Sequence, residues 1–203
     1  MQGYDTVDLS TLGRADRYKI LTGAVVPRPI AFVTTLAPSG VVNAAPFSQF
    51  VIVAVDPGLL GISIGPREEG TKDTLENIRA TGEFVINMVP GHWAEIVQSA
   101  SAEHPREVSE AELLGLQLLP SVAVKPPRFA ECDIQFECRT HQICEFGNAP
   151  NHFVIGEVMR MHVREGLLSN SKIDQSLYRP LSRIGGRTYA TISDVREAGE
   201  RLS

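Results

Sequence analysis

The residues with most chemistry to offer lie in Lys72-Asp73-Thr74-Leu75-Glu76-Asn77-Ile78 and the loop before it. Asp73 and Glu76 stand three apart, the spacing of a capping box, so the sequence predicts a helix starting near Thr74 with Asp73 as its cap. Leu75 and Ile78 give that helix an apolar face, and Gly82 ends it. A helix start presents unpaired amides and the positive end of the helix dipole, a setting that favours a phosphate. Lys72 and the hydroxyls of Thr71 and Thr74 would complete such a site, with Arg67 in the turn-rich run just ahead. A capped surface helix with a solvated Lys72 accounts for the same residues, so this stretch alone leaves both readings open.

Two further stretches suit a flat, phosphorylated ligand. In Asn43-Ala44-Ala45-Pro46-Phe47-Ser48-Gln49-Phe50, small residues beside a proline let another molecule approach the backbone. Ser48 and Gln49 offer hydrogen bonds, and Phe50 an apolar wall, the mixture an aromatic ring edged with polar atoms requires. A hairpin end with a structural proline is the alternative there. In Val26-Pro27-Arg28-Pro29-Ile30, two prolines hold Arg28 in extended backbone and restrict its guanidinium, which suits two-pronged phosphate recognition. An exposed linker arginine is the alternative.

The elements that must position these residues are mostly strands. A short helix over 14–23 ends at glycine, and the β-branched and aromatic run 30–36 reads as a strand returning through Pro38-Ser39-Gly40 to 41–45. Strands follow over 50–55 and 59–64 around Asp56-Pro57-Gly58, and over 83–89 after the helix at Thr74. Residues 92–119 read as helical or irregular: Trp93, Ile96, Val97 and Ala100 recur at helical spacing, and Ser109 precedes Glu112 by three. Ile134, Phe136 and Cys138 alternate with polar residues in a strand, 153–163 form the next, and the tail from Arg164 is predicted as loop with a weak terminal helix. Closely spaced strands with inserted helices argue for an antiparallel barrel or sandwich in one domain over 1–203.

Composition removes several functions. The chain has 203 residues, 19 basic and 24 acidic, and net charge −5, so it lacks the basic excess that a nucleic-acid partner demands. No run approaches the roughly 18 apolar residues of a membrane span. Asp5 and Asp8 in a leader without basic residues, and three cysteines in one segment, set the expectation of a cytoplasmic protein. Cys132, Cys138 and Cys144 fall six apart, on one face of a continuous strand, and read as core residues rather than metal ligands, which cluster about two to four apart. His92, His104, His141 and His162 form no ligand spacing, so no metal site is expected.

Together the order Pro27-Arg28-Pro29-Ile30, Thr34-Thr35, Asn43…Ala45-Pro46…Ser48…Phe50, Lys72-Asp73-Thr74…Asn77-Ile78, Phe84-Val85-Ile86-Asn87 and His152-Phe153-Val154-Ile155-Gly156-Glu157-Val158 resembles the flavin reductase-like, FMN-binding split-barrel family. The likeness covers roughly 18–163, leaves 164–203 as a C-terminal extension, and looks closest to the flavoredoxin-like branch. The resemblance implies a mainly β, six-stranded split barrel with Greek-key connections and inserted helices, dimeric, with FMN at the subunit interface. It implies that Asn43, Ala45, Ser48, Gln49 and Phe50 line the flavin ring and ribityl chain, and that Arg28, Ser48, Lys72 and Thr74 hold the phosphate. Thr34, Ala44, Arg67 and Asp73 belong to the same cofactor-binding set. His152, the catalytic candidate, would face the flavin or the reductant. The Leu181–Tyr189 run resembles a family tail that reaches the active site, where Arg183 and Arg187 either touch phosphate or substrate or sit in a solvated loop.

With a flavin bound, the protein needs no nucleophile or acid–base pair of its own, in keeping with the lack of a visible triad. The expected function is an NAD(P)H-dependent flavin reductase that passes electrons to free flavin for a monooxygenase or to another redox protein. The alternative is a homodimeric FMN-binding electron carrier without significant NAD(P)H turnover.

Overall fold

The computed structural model describes residues 3–67 and 70–199. Helix α1 (Arg14–Ala24) leads through the two-residue strand Arg28–Pro29 into β1 (Ala31–Leu36), β2 (Val42–Phe47), β3 (Phe50–Val55) and β4 (Gly58–Ile64). Helix α2 (Asp73–Thr81) and β5 (Glu83–Met88) come next, then the short helices α3 (Ala94–Ser99) and α4 (Glu110–Leu113). Two long strands, β6 (Ile134–Phe146) and β7 (Asn151–Val163), and the hairpin β8 (Leu181–Gly185) and β9 (Thr188–Thr191) complete the chain. None of the helices among the described residues is long and apolar enough to cross a membrane.

Seven strands form one antiparallel sheet in the order β2-β1-β5-β6-β7-β4-β3. β2 and β3 are joined by Ser48 and Gln49 alone, yet they occupy opposite edges of that sheet. The sheet therefore curls until one bent strand spans the gap, and counting β2–β3 once recovers the six strands expected. Among the described residues no ladder closes the seam between them, so the barrel is split.

Curling gives β1 two buried faces. Ala31 and Val33 point into the barrel with Ile62, Ile64, Phe84 and Ile86, and Leu75 and Ile78 of α2 plug that interior. Ile30 and Phe32 face outward into a second core with Trp93, Val97 and Phe129, where the Phe32 and Phe129 rings lie 4.8 Å apart. The helical spacing of Trp93, Val97 and Ala100 thus marks a face packed in the outer core. Gly156 in β7 is required by this packing, because a Cβ there would come within 2.3 Å of Phe84 Cζ.

Helix α2 is held by a buried polar knot. Asn43 Nδ2 donates to Thr35 Oγ1 (3.1 Å) and Thr74 Oγ1 (3.0 Å), while Asn77 Nδ2 donates to the same Thr35 oxygen (3.0 Å). All four side chains are buried, so each bond replaces water that is excluded. On the other flank, fully buried Glu137 accepts backbone bonds from Val122, Ala123 and Val124 and faces His162 Nε2 at 2.5 Å. Burial alone would raise its carboxyl, but the bonds from Val122, His162 and Ala123 outweigh it and hold the group below the ordinary glutamate range.

Several expectations are corrected here. The tail carries no terminal helix over 192–199; instead 181–191 forms a hairpin, because Leu181 buries in the outer core and Gly186 takes the positive φ its turn needs. The three cysteines do not share a face. Cys132 precedes β6 in the outer core, Cys138 faces the barrel interior, and a bulge that skips His141 shifts the alternation before Cys144.

Two stability measurements check this scheme. Asn43→Ala should cost about 2 kcal/mol in urea unfolding by removing two buried bonds, whereas exposed Gln49→Ala should stay within about 0.5 kcal/mol. Glu137→Gln should cost about 3 kcal/mol at pH 7. Because the folded carboxyl is depressed, its contribution is present at neutral pH and lost as pH falls through the folded value, so parent and variant should converge on acidification.

Candidate functional site

At the split seam the structure opens a cavity of about 660 Å³. One face of α1 (Arg14, Tyr18, Leu21, Thr22) forms one wall, and Ser48 and Gln49 of the strand crossing form another. Phe146, Gly147 and Asn151 from the β6–β7 turn, Arg183 and Gly186 from the C-terminal hairpin, and Lys72 complete the rim. A smaller pocket of about 100 Å³ adjoins it across Pro46, Phe47, Lys72 and Ser101, and is lined by Asn43, Ala45, Arg67, Asp73 and Thr74. The volume of the larger space suits a small organic ligand.

The electrostatics of the larger cavity run against those of the chain. Arg14, Arg28, Lys72 and Arg183 line it, and no carboxylate does among the described residues, although the protein carries net charge −5. Lys72 has no carboxylate within ion-pair distance among the described residues. It sits at the N-terminal boundary of α2 in extended backbone. The first backbone bonds of that helix run from Leu75 and Glu76 to the Lys72 carbonyl, which leaves the amides of Asp73 and Thr74 without an acceptor among the described residues. One ammonium and two amides without a described acceptor, set at a helix start, are groups that can receive an anion.

Arg28 is buried and anchored. Its Nη1 donates to the Thr22 and Val25 carbonyls at the end of α1, the latter at 2.6 Å, and Nε lies 3.5 Å from Ser48 Oγ. Nη2 has no protein acceptor among the described residues. Burial lowers the Arg28 guanidinium from its ordinary value, with Tyr18 opposing and Arg183 adding to the shift.

The structure thus brings Arg28, Asn43, Ala45, Ser48, Gln49, Arg67, Lys72, Asp73 and Thr74 to one continuous cleft. Their roles within it differ from expectation. Asp73 does not cap α2; its carboxylate lies 2.6 Å from Arg106 Nε, off the hydrogen-bonding line, and 3.5 Å from Arg67 Nη1. Arg67 is also 3.2 Å from Glu103, so it is neutralised by two carboxylates while Lys72 is not. Asn43 and Thr74 spend their polar atoms largely on the knot under α2.

Four candidates lie elsewhere. Thr34 is fully buried on the outer face of β1, where its hydroxyl bonds the Pro127 carbonyl and receives Asn87 Nδ2. Ala44 is buried in the outer core and donates its amide to Glu110 Oε2 at 2.9 Å. Phe50 packs partly buried against the barrel interior. His152 follows Asn151 on β7, so the alternation that turns Asn151 into the cleft turns His152 away from it. Its Nε2 sits 3.0 Å from Glu145 Oε1, which also meets Arg79 at 3.5 Å.

The residues overlooked were those of α1. Arg14, Tyr18, Leu21 and Thr22 fall at i, i+4, i+7 and i+8, a stripe visible in the sequence as one helix face. Of the two tail arginines, Arg183 reaches the cleft and Arg187 is exposed outside it.

The comparisons with known proteins agree with this architecture. A family model for a flavin reductase like domain matches residues 23–182. A protein of Halalkalibacterium halodurans is 41% identical over 190 residues, covering 91% of either chain. Nitrilotriacetate monooxygenase component B from Bacillus cereus superposes with a TM-score of 0.92 at 32% identity, over 98% of this chain and 100% of that one. The 2-nitrobenzoate 2-nitroreductase NbaA of Pseudomonas fluorescens gives a TM-score of 0.89 at 34% identity, over 97% and 96%. With its split antiparallel barrel and a domain match across most of its length, this chain belongs to the flavin reductase-like family.

Proposed function

We propose that this protein is an FMN-binding oxidoreductase that uses NAD(P)H as its reductant and passes electrons to a further acceptor. The observation that carries the reading is the larger cavity, cationic and lined by no carboxylate among the described residues, together with the start of α2 beside it, where the Asp73 and Thr74 amides have no acceptor among the described residues and the Asp73 carboxylate is held by Arg67 and Arg106. These donors fit a phosphate monoester, with Lys72 and the Asp73 and Thr74 amides as its partners. Pro46 and Phe47 supply an apolar edge and Ser48 and Gln49 polar atoms beside it, a lining that fits a flat heteroaromatic ring.

When bound there, FMN supplies the ring that accepts and donates reducing equivalents. The chain's own residues position it. Lys72 and the helix end fix one terminus, the seam residues orient the ring plane, and the α1 face restricts solvent on the other side. The name of the Bacillus cereus neighbour, a monooxygenase component, supports a monooxygenase as the downstream acceptor.

A second copy of the chain is proposed to cover β3. Ile52 and Val55 on this edge strand are 68% and 88% exposed, beside exposed Val51 and Val53, and an apolar strand edge of this kind is ordinarily paired or buried.

Flavin titrations followed by fluorescence test the phosphate seat. The parent should bind FMN well above riboflavin, which lacks the phosphate, and Lys72→Gln should weaken FMN by about tenfold while leaving riboflavin unchanged. Equal weakening of both flavins would remove Lys72 from the phosphate. Anaerobic mixing of the FMN-loaded protein with NADH or NADPH should bleach the visible flavin bands within seconds. No bleaching over minutes would leave the electron-carrier reading in place of the reductase.

A further inference from the structure

The three-stranded sheet at the mouth of the cleft places three side chains in one row. Arg28 is the direct cross-strand partner of Arg183 on β8, and Arg183 is the direct partner of Tyr189 on β9. Direct partners of an antiparallel ladder project to the same face, and two like charges set opposite each other cost stability. No carboxylate compensates Arg28 or Arg183 among the described residues. Both arginines instead line the large cavity, and neither lines the small pocket beside Thr74.

Each guanidinium is also fixed. Arg28 is anchored through Nη1 to the end of α1 and keeps Nη2 free of protein acceptors among the described residues. Arg183 lies with its Cζ 4.6 Å from the centre of the Tyr189 ring, donates Nη1 to the Tyr189 hydroxyl and donates Nη2 to the Gly186 carbonyl. The Tyr189 hydroxyl in turn donates to Gln98 Oε1 of α3 at 3.2 Å, and its ring packs on the outer core. A tyrosine bolted to the core therefore sets the direction of an arginine that faces the cleft.

We infer that Arg28 and Arg183 form a paired-guanidinium seat for the oxyanion of a second ligand, and that Tyr189 is the positioning residue that holds Arg183 in it. The seat is distinct from the flavin phosphate position at Lys72–Thr74, and in that respect the inference rests on the proposed function. Arg28 Nη2 and Arg183 Nε, which have no protein acceptor among the described residues, are donors that match a phosphate or carboxylate group, and a bound anion would relieve the repulsion between the two guanidiniums. The ligand class is thus an anionic co-substrate, carrying either the diphosphate of a dinucleotide or the carboxylate of a small acceptor.

Calorimetric titration of the FMN-loaded protein with inorganic diphosphate and, separately, with benzoate tests this. The parent should bind at least one of the two, and the one that binds names the source of the oxyanion. For that probe, Arg183→Ala and Tyr189→Leu should weaken binding by roughly tenfold, with Tyr189→Phe intermediate because it keeps the stacked ring and loses the hydroxyl. FMN affinity should change less than about twofold in all three variants, a separation that a merely structural defect in the hairpin would not produce. The inference is overturned if neither anion binds the parent, if the variants bind it as the parent does, or if FMN affinity falls in parallel. Should Tyr189→Leu not fold, Tyr189→Phe and Arg183→Lys carry the comparison. A chain that takes up no FMN defeats the flavin reading alone, since the anion titrations are then read on that chain unchanged.

Discussion

Between β2 and β3 the backbone leaves one edge of the sheet and enters the opposite edge within two residues, and most of the molecule follows from that crossing. The barrel cannot close by hydrogen bonds there, so the seam exposes main-chain groups and small side chains that a closed ladder would hide. Other elements have to gather around it. Helix α1, the Arg28–Pro29 strand with its C-terminal hairpin, and the start of α2 all do so, and the space they leave is the cleft. The knot of Asn43, Thr35, Thr74 and Asn77 matters for the same reason, because it fixes the helix end against the crossing strand.

Charge is sorted on this frame. The acidic groups near the site are occupied: Asp73 by Arg106 and Arg67, Glu103 by Arg67, and Glu110 by the amide of Ala44. Arg14, Arg28, Lys72 and Arg183, which line the large cavity, have no carboxylate partner among the described residues. A chain of net negative charge thereby presents a local positive field where an anion has most to gain.

Much of this was legible in the residues themselves. The strands around Ile30, Asn43 and Phe84 announce themselves by β-branched and aromatic runs, and Gly82 takes the left-handed conformation that a helix stop requires. The Lys72–Thr74 turn was readable as a helix start, and α2 begins there, at Asp73. Side-chain direction was not. Thr34 and His152 were expected at the ligand, but strand alternation sends both to the opposite face, and one residue of register decides that outcome. The bulge at His141 likewise undid the common face of the cysteines. The pairing of Arg28 with Arg183 joins residues far apart in the chain, and the local pattern around neither announces the other.

The central claim is that the start of α2 holds a ligand phosphate through its own amides. Amide proton–nitrogen correlation spectra recorded with and without FMN address it directly, with riboflavin as the phosphate-free control. The account predicts that the Asp73 and Thr74 resonances move strongly downfield with FMN and stay near their free positions with riboflavin. Unchanged Asp73 and Thr74 signals in a protein saturated with FMN would contradict it.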